Sequence, residues 1–144
     1  DIGEIYSVQG DDFKALDYFK KSLKIVLSVY GENHSQVSSI YDHIGEVYFA
    51  QKDYSKALYY FEESLKIRLS LFGENHPEVA LSYYSIGSLY IIQGDKSKAL
   101  NYYEKSLKIR LSVYGENHPL TKEIMDLINV AANSKVLQSP ETTK

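Results

Sequence analysis

Apolar residues in this chain recur at steps of three and four, the spacing of one buried helix face. In residues 35–51 the positions are Val37, Ile40, Tyr41, Ile44, Val47 and Tyr48. Further along, Val79, Tyr83, Ile86, Leu89 and Tyr90 repeat the arrangement. A second helix is predicted to run through Lys56-Ala57-Leu58 to Leu71, with Phe61, Leu65 and Leu69 on one face. The first helix closes near Gly10, Lys52 or Gly94, and Asp11, Asp53 or Asp95 stands next as the N-cap of the second. Pro77 and Pro119 stand at a first helical turn, where the missing N–H has no partner to lose. Gly31, Gly73 and Gly115 suit the left-handed residue that ends the second helix.

This helix pair is one unit of an array. The phrase Gly-Glu-Asn-His begins at residues 31, 73 and 115, a period of 42. Residues 31–72 and 73–114 are identical at 24 of 42 positions, so they read as tandem duplications. Residues 1–30 match the last 30 positions of a unit and start inside its first helix. With no initiator Met, the chain reads as a segment of a longer repeat protein. Residues 115–132 keep the phrase and Pro119, then diverge, although Ile124, Leu127, Ile128 and Ala131 still form the stripe of a terminal helix. The array is thus expected over residues 1–132, with 133–144 as a flexible tail. Units of this length bury their apolar faces on their neighbours and present an extended surface.

Close packing within a pair is expected at Gly45 and Gly87, aided by Ala57, Ala99 and Ser64. Tyr48 or Tyr90 and Phe61 or Tyr103 fill the space beside them, and most of the 14 tyrosines are read as packing residues.

Tyr41-x-x-Ile44-Gly45-x-x-Tyr48 followed by Ala57-x-x-x-Phe61 resembles the tetratricopeptide repeat, with Tyr where Trp is usual. Tyr83, Ile86, Gly87, Tyr90, Ala99 and Tyr103 carry the same pattern, and residues 1–30 supply its second half. The 42-residue length and the Gly-x-x-His-Pro phrase resemble the kinesin light chain type of this repeat. The resemblance covers about residues 2–132. It implies an all-α, right-handed α-solenoid of tetratricopeptide-like helix pairs.

Composition narrows the function. A net charge of −3 without a basic block argues against nucleic-acid binding. No apolar run is long enough to cross a bilayer. Cysteine is absent, which removes thiol catalysis and Cys-ligated zinc and fits a cytoplasmic protein. The sequon Asn33-His34-Ser35 is read as a chance match. No nucleophile–base set or phosphate-binding loop is visible, so neither an enzyme nor a cofactor is expected. His34, His76 and His118 recur one repeat apart, roughly 10 Å for stacked helices, against zinc bonds of about 2.1 Å. They are read as turn or cap residues, and no metal site is expected. Lys66 and Lys108 are read as an exposed ridge.

For binding, the resemblance points to the first helix of each pair, which lines a concave groove in this family. The corresponding positions here are Asp42, Glu46 and Phe49, then Tyr84, Ser88, Ile91 and Ile92, with Glu4 before them and Glu123 and Asp126 after. Family members that clamp a C-terminal carboxylate use Lys, Asn and Arg at such positions, whereas this chain has acids and apolar residues. Kinesin light chains carry Asn-Asn where this chain has Asp42-His43 or Tyr84-Ser85, so recognition of acidic, Trp-containing cargo motifs does not transfer. The expectation is a scaffold or adaptor binding a peptide or helix, basic with apolar anchors, in the groove. The alternative is a structural spacer or self-associating element, pairing through the apolar end formed by Ile2, Ile5 and Tyr6.

Overall fold

Each turn inside a helix pair is built by one residue that can hold a left-handed backbone and one side chain that caps the second helix. Gly10, Lys52 and Gly94 have φ of 78°, 63° and 81°. The next residue but one then opens a helix. Asp11, Asp53 and Asp95 accept the N–H of Lys14, Lys56 and Lys98 at 3.0, 3.3 and 3.1 Å. Gly31, Gly73 and Gly115, with φ between 79° and 83°, end the longer helices.

The computed structural model describes residues 3–4 and 10–134. Six bounded helices run in chain order: α1 Asp12–Tyr30, α2 Ser35–Ala50, α3 Tyr54–Phe72, α4 Pro77–Ile92, α5 Lys96–Tyr114 and α6 Pro119–Asn133. Among the described residues there is no strand. The chain divides into two compact units, residues 1–71 and 72–144. The predicted uncovered end at Ile2, Ile5 and Tyr6, and the tail beyond Ser134, lie outside the described residues.

The Gly-Glu-Asn-His phrase is a helix start. The Nδ1 atoms of His34, His76 and His118 accept the N–H of Gln36, Glu78 and Leu120, each at 3.1 Å. Each imidazole also stacks on the aromatic residue four positions before it. The ring centroids are 4.2 Å apart for Tyr30–His34, 4.2 Å for Phe72–His76 and 4.3 Å for Tyr114–His118. One side chain thus satisfies a helix donor and pins the end of the preceding helix.

Within unit 1, α2 buries Val37, Ile44, Val47 and Tyr48; within unit 2, α4 buries Val79, Ile86 and Leu89. Ile86 and Leu89 are fully buried, each worth about 1.5–3 kcal/mol of transfer free energy. The glycines let the partner helix in. A Cβ on Gly45 would lie 2.7 Å from the Phe61 ring, and one on Gly87 would lie 2.7 Å from Tyr103. Tyrosines fill the flanks as expected. Tyr60 lies between Tyr41 and Tyr48, at 5.8 and 5.7 Å, and Tyr102 lies between Tyr83 and Tyr90, at 6.0 and 5.7 Å.

The predicted face of the second helix needs correction. The buried stripe of α3 is Ala57, Phe61, Ser64, Ile67 and Arg68, while Leu65 and Leu69 are half-buried. Helix α5 repeats it with Ala99, Tyr103, Ser106, Ile109 and Arg110. Each step of four residues overshoots a 3.6-residue turn by about 40°. Starting from Phe61 on Gly45, Leu65 and Leu69 therefore drift off the contact line. Mixed steps of three and four keep to that line and reach Ser64 and Arg68. In α6 the stripe is likewise shifted. Thr121, Ile124 and Ala131 are buried, whereas Leu127 and Ile128 are half-buried.

Candidate functional site

Helix α2 carries the first-helix residues of unit 1, and one of them is already engaged. Arg68, 3% exposed, reaches from α3 to Asp42 with Nη1 at 2.6 Å from Oδ2. Burial pushes the Asp42 carboxyl up, while the guanidinium beside it pulls the other way. A carboxylate held this way orients a neighbour and is little available to a ligand.

The neighbouring acids behave differently. Glu4 Oε1 lies 3.2 Å from His43 Nε2, and Glu46 Oε2 lies 3.8 Å from His43 Nδ1, both carboxylates being largely exposed. The imidazole stacks on Phe19 with centroids 5.1 Å apart and planes 9° from parallel. Hydrogen bonding to Glu46 raises the His43 pKa, opposed by partial burial and reinforced by the charges of Glu46, Glu4 and Asp42. Phe49 is half-buried, its ring edge-on to Tyr54 at 5.7 Å.

Unit 2 solves the same positions with other chemistry. Tyr84 stands where unit 1 has Asp42, and its ring carries the Arg110 guanidinium 5.4 Å from the centroid. Arg110, 4% exposed, also donates to the Leu120 carbonyl at 3.0 Å. Ser88 and Tyr103 share a hydroxyl–hydroxyl hydrogen bond of 2.9 Å. Ile91 is half-buried and Ile92 is 49% exposed. Glu123 and Asp126 are exposed on α6.

Of the expected site residues, Glu4 and Glu46 are brought together around His43. Tyr84 and Ser88 both meet Tyr103. Sequence reasoning missed His43, Arg68 and Arg110. The arginines could have been found by extending the stripe Ala57–Phe61 through Ser64 to the next turn, where a charge recurs at the repeat period. Among the described residues, no cluster of His, Cys, Asp or Glu is placed to hold a metal, and no helix is long and apolar enough to cross a membrane.

Paired helices, glycine at the crossing and a capping histidine at each repeat junction define a helix-pair repeat. The Tetratricopeptide repeat family model matches residues 1–70 and 37–112. The chain belongs to the tetratricopeptide repeat family, an all-α solenoid class of protein-interaction scaffolds.

Among solved structures, BtubC (BKLC) from P. vanneervenii is similar with a TM-score of 0.80 at 24% identity, over 94% of this chain and 56% of that one. Kinesin light chain TPR-like repeats of Podosopora anserina give 0.79 at 16% identity, over 90% and 62%. The N-terminal domain of stress-induced protein-1 from C. elegans gives 0.61 at 21%, over 87% of each chain. The repeat fold is thus of the kinesin light chain type. The chain spans about 56–62% of the length of the first two structures. No curated protein matches the sequence significantly.

Proposed function

We propose that this segment is a protein–protein interaction module whose first-helix faces take up a peptide or helix, basic in character and carrying one or two apolar anchors. The observation that carries this reading is the set of side chains that stay accessible on helices that each bury one stripe of residues. The Glu46 side chain is 67% exposed and Ile92 is 49% exposed. A ligand Lys or Arg would compete with His43 for Glu4 and Glu46, and apolar anchors would rest on Phe49 in unit 1 or on Ile91 and Ile92 in unit 2. Anchors supply most of such an affinity and charges mainly steer and select. A few contacts of this kind correspond to micromolar binding, about −8 kcal/mol. Asp42 acts here through Arg68 and not by touching the ligand, and Tyr84 acts in part by supporting Arg110.

The test is a peptide-display selection on the chain beside a Glu4→Lys, Glu46→Lys, Ile92→Ser variant, all surface positions whose change leaves the buried pairs intact. Enrichment of basic, apolar peptides on the parent alone supports the reading. Equal enrichment on both, or none, moves the function to a spacer or self-associating element.

A further inference from the structure

Unit 2 contains an open pocket of about 480 Å³ lined by the loop residues Glu74 and Asn75, by Tyr83 of α4 and by Lys105, Lys108 and Ser112 of α5. None of these is a first-helix position assigned above to ligand uptake. Lys105 and Lys108 are three residues apart, so both ammonium groups serve one face of α5. The Lys105 ammonium lies 5.6 Å from the Tyr83 ring centroid and 5.3 Å from that of Tyr102, which holds it at the pocket. Neither lysine forms an ion pair with a described residue. The Asn75 amide is fixed by a 3.2 Å hydrogen bond to Ser112. Burial, then the Glu74 carboxylate, raises the Tyr83 pKa, so its hydroxyl stays a donor.

The preceding repeat supplies an internal control. Its residue in the register of Lys105 is Glu63, and Glu63 Oε1 lies 3.4 Å from Lys66 Nζ, the counterpart of Lys108. One exchange between duplicated units thus converts a self-neutralised pair into two cations that have no ion-pair partner among the described residues.

We propose that this pocket binds an acidic peptide segment, with one ligand carboxylate between Lys105 and Lys108 and a neighbouring ligand N–H donated to Glu74. The pocket has two cations and one acid, so it favours an anion that brings a donor with it. Inorganic phosphate would engage the same lysines and can itself donate a P–O–H to Glu74, so it is the competing ligand against which the peptide is tested.

The experiment is a titration of the ¹⁵N-labelled chain with acetyl-Asp-Glu-Asp-amide at constant ionic strength, monitored by amide shifts. Saturable shifts at Asn75, Lys105, Lys108 and Ser112 are expected, weakened at least ~10-fold in Lys105→Glu and in Lys108→Gln. Glu63 shows that the repeat accommodates Glu at this register, and the second variant guards against a folding artefact. Glu46→Lys should leave these shifts unchanged, which separates this site from the first-helix faces. No saturation by about 10 mM peptide, a weak affinity on any scale, would overturn the proposal. So would binding by both lysine variants equal to that of the parent, or stronger shifts of the same amides with inorganic phosphate.

Discussion

Asp42 and Arg68 form a nearly buried ion pair, 2.6 Å between Oδ2 and Nη1, at the register where Tyr84 and Arg110 meet by a cation–π contact at 5.4 Å. Two repeats identical at 24 of 42 positions therefore hold the same buried arginine in two different ways. Removing one partner of a buried pair leaves the other charge uncompensated, which typically costs about 3–5 kcal/mol. Asp42→Ala is expected to destabilise by about 3 kcal/mol, the low end of that range because Asp42 retains some exposure. Asp42→Tyr, which installs the other repeat's solution, should cost less than half as much. Urea midpoints of the two variants decide it: equal losses would show that a Tyr ring does not replace the carboxylate here, and no loss in Asp42→Ala would show that Asp42 is not what holds Arg68.

The histidine of the repeat phrase has two separable functions, as an Nδ1 cap and as a stacked ring. His76→Ala should lose both, about 1–2 kcal/mol together. His76→Ser keeps a capping oxygen and should recover at least half of that loss. Thermal melts of the two variants test the division. Equal melting temperatures would show that the cap contributes nothing and that the stack on Phe72 is what matters.

Lys52 is a side chain where the other repeats place Gly10 and Gly94. Its φ of 63° is left-handed, a conformation that costs a non-glycine residue about 1 kcal/mol. Lys52→Gly is expected to raise stability by up to about 0.5 kcal/mol, because the relieved strain exceeds the added unfolded-state entropy. A lower urea midpoint for the variant would contradict this.

His43 couples stability to pH. Glu46, Glu4 and Asp42 face the imidazole, and its pKa is raised above the ordinary 6.5. The folded chain therefore binds this proton more tightly than the unfolded chain. The resulting stabilisation is complete below the unfolded value and is lost as pH rises through the elevated folded value. The melting temperature of the parent should fall relative to His43→Gln between about pH 6 and pH 8. Parallel profiles for the two proteins would remove His43 as the source.

Much of the fold was legible because its signals are local. A capping Asp needs only a backbone N–H three residues on, and Asp11, Asp53 and Asp95 each find one. The glycines at 45 and 87 announced the crossing point, since only a missing Cβ admits a ring that closely. The candidate site was less legible. Asp42 and Glu46 are equivalent acids in the sequence, one turn apart on α2. Asp42 is neutralised by Arg68, 26 residues away in the chain, while Glu46 faces solvent and His43.

The sequence by itself determined the period, the helix bounds, the caps and the close approach of paired helices, because each arises from backbone hydrogen bonding and steric limits acting over a few residues. Only the tertiary structure decided which charges are partnered. Lys66 is answered by Glu63, whereas Lys105 and Lys108 stand together at a pocket. The electrostatics of a side chain depend on what surrounds it in space and on how much water remains, and neither is encoded by its spacing along one helix.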